Sequence, residues 1–289
     1  MERENEVYVG RFYGERVRSI TPDLVQTYSE GVEDFNPWYF GESPFGPAVA
    51  PALLLHSEVY KDLSWYLSVF GNLHARQEWE LFHPMMLGDE VIARSQIIDR
   101  YTKRDRAYVV NEVSTFSGDG RLLNRGRTHQ SFLKKRSSEA QVVVDKDREK
   151  RADRKFEVED GEVLEELQAP AKFVSIEMCQ KFSGPQKSYH NDVEAARALG
   201  FPDIVVQGMM ALCFISEMMT NRFGIGWYQG GKMNVNLVNV VWQSETITAR
   251  GLARSTSLEG SASRVHVDVW CEKEDGTKVV VGSASGLDL

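Results

Sequence analysis

Asp89-Glu90-Val91-Ile92-Ala93-Arg94 returns 156 residues later as Glu245-Thr246-Ile247-Thr248-Ala249-Arg250. Asp119-Gly120-Arg121-Leu122-Leu123 is answered at the same offset by Asp275-Gly276-Thr277-Lys278-Val279. Two independent matches at one spacing indicate a tandem duplication, and a duplication governs every later reading of the fold.

The boundary between the copies is written in charge. Lys134-Lys135-Arg136 and Asp145-Lys146-Asp147-Arg148-Glu149-Lys150-Arg151 are followed by acids from Glu157 to Glu166. The mixed signs read as a solvated, partly helical linker rather than a basic patch for an anionic ligand. The chain divides into an N-terminal unit (1–136), a charged linker (137–168) and a C-terminal unit (169–289).

Both units run in the same order. An apolar helical stretch comes first: Ala50 to Tyr66 in the first, with Pro51 suited to a first turn, and Ile204 to Met219 in the second, ended by Asn221 and Gly224. The second stretch is apolar nearly all round, which predicts a helix buried on most sides. Strand-like runs follow: Val91 to Ile98 and Tyr108 to Val113, then Thr246 to Ala249 and Arg264 to Trp270, the last with Val265, Val267 and Val269 on one face. Asp119-Gly120 and Asp275-Gly276 are hairpin turns. One helix followed by an antiparallel meander, twice over, is an α+β architecture.

The 289 residues are 42% hydrophobic and 26% charged, as in a globular protein. A net charge of -8 argues against a nucleic-acid coat. Three cysteines without C-x-x-C spacing fit a reduced, cytoplasmic setting. The run Ile204 to Met219 is too short to span a bilayer, and the opening Met1 to Glu6 has no apolar signal-peptide core, so neither membrane nor secretion is expected. His56, His74 and His83 lack i, i+4 spacing, and no metal is expected. His129 reads as structural and His266 as exposed. The glycines between Gly224 and Gly231 lack the Lys-Ser/Thr of a phosphate loop. The methionines of the second helix read as adaptable core.

The informative residues precede the helices. In the first unit they run Tyr28-Ser29-Glu30-Gly31-Val32-Glu33-Asp34-Phe35-Asn36-Pro37-Trp38-Tyr39. In the second they run Phe182-Ser183-Gly184-Pro185-Gln186-Lys187-Ser188-Tyr189-His190-Asn191-Asp192, then Ala195 to Phe201, then Val206-Gln207-Gly208-Met209. This order resembles the MaoC-like dehydratase or hydratase-2 family in its double-hotdog form. That family's motif is aromatic-Ser-Gly-Asp-x-Asn-Pro-x-His, an Ala-rich turn and a His-Gly-Met-like helix start.

The resemblance implies two hotdog units paired side by side, each a curled antiparallel sheet around a central helix. It implies an acyl thioester, on coenzyme A or an acyl carrier protein, as substrate and no separate cofactor. The reaction it implies is reversible addition of water across a 2-enoyl thioester. A carboxylate and an imidazole share the water, while a backbone N–H at a helix N-terminus stabilises the enolate oxygen. It also implies that both catalytic groups come from one motif, beside the helix of the same half.

Neither half carries the whole pattern. The first keeps Asp34, Asn36 and Pro37 but has Tyr39 for His. The second keeps His190 but has Pro185 for Asp, Lys187 for Asn and Ser188 for Pro; Gln207 replaces a helix-start His ahead of Gly208 and Met209. His190 is the leading general acid/base, with Asp34, Asn36 and Tyr39 as further catalytic candidates. Asp34 and Asn36 also suit turn chemistry, and Tyr39 also suits a half-buried aromatic. Gly208, Gln207 and Lys187 are the substrate-binding candidates, with a solvated surface role open for Lys187. One site shared by Asp34 and His190 would need the halves to shift or the substrate to take a different path. Two other readings stand beside the hydratase: a decarboxylase or isomerase working through an enolate, and a non-catalytic subunit pairing with an active homologue. A homodimer is compatible with all three.

Overall fold

The computed structural model describes residues 7–61, 73–103, 106–133 and 161–289. The duplication in the sequence is the duplication of the sheet. Strands β3 (Glu90–Lys103), β4 (Arg106–Ser117) and β5 (Leu122–Leu133) have counterparts β9 (Thr246–Glu259), β10 (Ala262–Lys273) and β11 (Lys278–Asp288), and each counterpart starts 156 residues later. The turns between β4 and β5 and between β10 and β11 place Gly120 at φ 86° and Gly276 at φ 83°. That left-handed region costs glycine nothing.

The remaining strands are β1 (Phe12–Ser19), β2 (Leu73–Leu81), β6 (Glu165–Gln168), β7 (Lys172–Phe173) and β8 (Lys232–Leu237). Together they make one eleven-stranded sheet in the order β1-β3-β4-β5-β2-β8-β11-β10-β9-β6, with β7 also on β9. The halves meet at β2 and β8, an antiparallel pair with Arg76 opposite Asn236 and Glu80 opposite Lys232. The second half thus mirrors the strand order of the first across this seam.

Six helices accompany the sheet among the described residues: α1 (Pro22–Val32), α2 (Glu58–Lys61), α3 (Ile176–Ser183), α4 (Val193–Ala198), α5 (Met209–Phe223) and α6 (Ile225–Gly230). Thr21 caps α1 through its hydroxyl, which accepts the Leu24 N–H at 3.2 Å, and Pro22 takes the first turn. Ser175 caps α3 in the same way. Thirteen of the fifteen residues of α5 are buried, as its all-round apolarity predicts.

Two expectations change. The helix expected from Ala50 to Tyr66 begins instead as tight turns, with Leu54 N–H on Pro51 O, His56 N–H on Leu53 O and Glu58 N–H on Leu55 O. Helical winding starts at Glu58, and residues 62–66 lie outside the described residues. Ala52, Leu53, Leu54 and Leu55 are all buried. No amphipathic stripe selects a helix there, and tertiary packing sets the path. The linker also ends earlier than expected: Glu165–Gln168 is strand β6, with Leu167 buried opposite Gly251 and Glu165 bound by Arg222 of α5 at 2.7 Å. One apolar residue among acids was enough to seat it. Residues 137–160 lie outside the described residues.

Candidate active site

Helix α1 ends at Glu33, whose φ of 52° turns the chain sharply into Asp34. The Lys172 ammonium, from β7, donates to the Val32 and Glu33 carbonyls at 2.6 and 3.1 Å and pairs with the Glu217 carboxylate of α5. A cation on the last carbonyls of a helix offsets its dipole. Lys172 is 3% exposed, so the pairing takes place out of water.

Asp34, also buried, accepts the Asn36 N–H at 3.3 Å and the Tyr39 hydroxyl at 2.9 Å. Asn36 accepts the Trp38 N–H at 3.0 Å and so caps a single 3₁₀ turn, Pro37–Tyr39. Tyr39 is fully buried rather than half-buried, close to the equally buried Tyr228 of α6, whose hydroxyl donates to Ala50 O at 3.1 Å. Burial raises Asp34 from its ordinary value, against the Tyr39 hydrogen bond and the Lys172 charge, and holds Tyr39 well above the phenol range. The structure therefore joins three first-half candidates in one closed hydrogen-bonded turn. It gives Asp34 the tyrosine where the family pattern places a histidine.

In the second half, Asn191 shapes the loop after α3. Its Nδ2 donates to Gly184 O at 2.8 Å and Gln186 O at 3.0 Å, and its Oδ1 accepts the Ser188 N–H at 2.8 Å. His190 follows, half-buried, with Nδ1 2.7 Å from Val205 O. A carbonyl only accepts, so Nδ1 carries the proton and Nε2 keeps a lone pair. Burial pushes His190 down to about 4, so the ring is neutral at physiological pH. Tyr189 covers it at 3.9 Å between centroids and continues to Phe201 and Trp242.

Val205 pairs with Trp242, and Gly208 opens α5 three residues on without a side-chain cap. A Cβ at Gly208 would fall 2.2 Å from Leu237 Cδ2, so a larger residue there needs the Leu237 side chain to move aside. The Gln207 Oε1 is buried with no hydrogen-bond partner among the described residues. Lys187 stands in solvent, 82% exposed, paired with Asp192 at 2.9 Å. The surface reading of Lys187 is the one its position supports.

The motifs cross over. Tyr28 reaches Cys213 of α5, Asp34 faces Lys172 and Glu217, and Tyr39 faces Tyr228. Reciprocally, Phe182 stacks on His56 of the first half at 4.1 Å, and Tyr189 lies in the field of Tyr60. Gly31 of α1 packs on the Phe182 backbone, where a Cβ would come within 3.1 Å. The first motif thus packs on the helices of the opposite half, whereas the second touches the first half through Phe182 and keeps His190 on Val205 of its own half, just ahead of α5. Asp34 and His190 have no hydrogen-bond partner in common among the described residues. Lys172, Glu217, Tyr60 and Tyr189 were not singled out from sequence. Glu217 left a signal, a lone carboxylate inside an apolar helix; Lys172 left none.

A curled antiparallel sheet with a central helix, built twice and joined edge to edge, is the double-hotdog fold, and this chain has it. No family model and no curated protein matches the sequence. Solved structures do match. A MaoC-like dehydratase from Phytophthora capsici is 15% identical, with 98% of this chain and 96% of that one covered at a TM-score of 0.71. A conserved hypothetical protein from Mycobacterium tuberculosis, described as a double hotdog fold, is 10% identical over 98% and 97%, at 0.66. The full-length peroxisomal multifunctional enzyme type 2 from Drosophila melanogaster is 17% identical at 0.66, over 94% of this chain and 48% of that one. Among the described residues no helix is long and apolar enough to cross a membrane.

Proposed function

We propose that this chain is a cytoplasmic enzyme that adds or removes water at a 2-enoyl or 3-hydroxyacyl thioester, with its chemistry in the second half. The observation that carries the reading is His190: Nδ1 committed to Val205 O, three residues before the Gly208 that opens α5, Nε2 without a partner among the described residues, and the ring neutral. A neutral imidazole with a fixed tautomer is a general base without rearrangement. Nε2 takes a proton from water as its oxygen attacks C3. Negative charge moves to the thioester oxygen, where the Gly208 N–H at the helix N-terminus would meet it. C2 is then protonated, and the imidazolium releases its proton. Likeness to solved dehydratases supports the fold this reading needs.

Asp34, Asn36 and Tyr39 act in this reading as structure, because their polar atoms satisfy one another. Pro185, standing where the family pattern has its acid, favours one rival: an enolate-forming decarboxylase or isomerase that needs no activated water. The test is hydration of crotonyl-CoA and longer 2-enoyl-CoAs, followed by loss of enoyl-thioester absorbance. Wild type should turn over, and His190→Gln should lose about 10²–10⁴-fold in kcat. Carbon dioxide release from a malonyl-type thioester, without hydration, would move the assignment to the rival.

A further inference from the structure

The hydratase reading leaves one proton without a carrier. His190 takes a proton from water, but Pro185, standing where the family pattern has its acid, has none to give to C2. The residue next to His190 in the chain does. The Tyr189 ring lies 3.9 Å from the imidazole between centroids, tilted by 39°. A phenol oxygen projects from its own ring centre by less than that separation, so the hydroxyl stays beside the imidazole. Nε2, one water and the C3–C2 bond of a bound enoyl group span the distance between the two groups.

The ring is held there by a wall of its own. The Tyr189 carbonyl accepts the Val205 N–H at 3.1 Å, and the Val205 carbonyl in turn holds His190 Nδ1. The ring stacks on Phe201 at 5.5 Å and 28°, Phe201 leans on Trp242 at 6.3 Å, and Trp242 is the bridge partner of Val205. All three aromatics are half-buried and stand outside the continuous apolar core. The Tyr189 hydroxyl, by contrast, has no hydrogen-bond partner among the described residues. A phenol can donate and accept, and this one has spent neither capacity. Burial raises its pKa, so it carries its proton at neutral pH. Neighbouring residues thus present a free proton acceptor, Nε2, and a free proton donor.

We propose that Tyr189 is the general acid that protonates C2 while His190 deprotonates the water. This rests on the hydratase reading and names the proton donor that reading needs. Water loses a proton to His190 Nε2 as its oxygen bonds C3, and the π pair of the C2–C3 double bond moves onto C2 and the thioester oxygen. That pair takes the Tyr189 hydroxyl proton to form the C2–H bond, and the O–H electrons stay behind on a phenolate. The imidazolium then returns its proton to the phenolate. Both side chains end as they began, and the sum is the addition of one water. A phenolate is a far stronger base than an imidazole pushed down to about 4, so the return runs downhill.

The test compares wild type, Tyr189→Phe, Tyr189→3-fluorotyrosine and His190→Gln on a 2-enoyl-CoA, with folding checked by thermal melting. Tyr189→Phe keeps the stack and removes the acid, so kcat should fall at least about 10-fold with KM within about 2-fold. Tyr189→3-fluorotyrosine keeps ring and hydroxyl but makes the phenol more acidic, and it decides the matter should Tyr189→Phe fail to fold. Among the described residues the titratable groups facing Tyr189 are the His190 imidazole and the Tyr60 phenol. The alkaline limb of the rate should therefore move to lower pH in the fluorinated chain, a shift that a packing role would not produce. If wild type hydrates and His190→Gln does not, yet Tyr189→Phe runs at the wild-type kcat or the fluorinated chain leaves the alkaline limb in place, the Tyr189 role is overturned and the hydratase reading stands. A rise in KM alone for Tyr189→Phe would make it a binding residue and overturn it equally. Wild type inert on every enoyl thioester, or His190→Gln at the wild-type rate, overturns both.

Discussion

Tyr39 shows how one side chain can close a hydrogen-bonded turn on itself. Its hydroxyl occupies Asp34 Oδ2, the atom that a reacting water would need, and Asn36 spends its own acceptor on the Trp38 N–H. Tyr39→Phe would leave a buried carboxylate one donor short and should cost about 1–3 kcal/mol in urea denaturation. Asp34→Asn retains an acceptor for Tyr39 and removes a buried charge, so the variant should fold and keep wild-type turnover. A loss beyond tenfold would return the first motif to the chemistry. His190 makes a pH prediction with a definite sign. Its depressed value, about 4, means that the neutral base persists down to mild acid. The rate attributable to it should be flat from pH 5 to 8 and fall only as pH drops through about 4. A fall centred near 6.5 would mean that the imidazole is not desolvated as the structure has it.

At the level of elements, the entry to α5 and its midpoint behave differently. Gly208 meets Leu237 so closely that Gly208→Ala should destabilise by about 1–3 kcal/mol through overpacking, and adding Leu237→Ala should recover part of that loss. At the midpoint, desolvation lifts Glu217 to about 7, against the pull of Lys172 and with the push of Asp34 and Glu33; Tyr28 and Cys213 also face it. A folded-state value above the unfolded one means that the native protein binds the extra proton. Stability from this group is complete below about pH 4.5 and is lost as pH rises through 7. Melting temperature should therefore fall between pH 5 and 8 more steeply in wild type than in Glu217→Gln, by an amount equivalent to roughly 1–3 kcal/mol. Parallel slopes would refute the assignment.

These elements also mark where sequence was readable. The meander strands and their Gly120 and Gly276 turns were legible because alternation and turn chemistry are local. Helix α1 carries a local start signal in Thr21-Pro22-Asp23, a capping hydroxyl, a first-turn proline and an acid. His190 was legible as a motif position, but its tautomer depends on Val205 O, fifteen residues away. The Lys172–Glu217 pair and the approach of Tyr60 to Tyr189 join residues 45 and 129 positions apart, and no local pattern carries such information.

For the molecule as a whole, the crossing of the motifs decides how the halves depend on each other. The seam between β2 and β8 alone is an edge pairing of the kind two separable domains can share. The buried contacts go further. Lys172 of the second half satisfies the end of α1 in the first, Tyr228 hydrogen-bonds Ala50, and His56 stacks on Phe182. Separating the halves would take the Val32 and Glu33 carbonyls from the buried Lys172, leaving those helix-end acceptors without their donor. It would also open a core cluster that runs continuously from Ile20 to Ala284. One cooperative transition is therefore expected in calorimetry, with calorimetric and van't Hoff enthalpies equal. Lys172→Met should lower its midpoint without splitting it, because the rest of the shared core still couples the halves. Two resolved transitions in wild type would mean that the halves unfold independently and that the crossed contacts do not couple them.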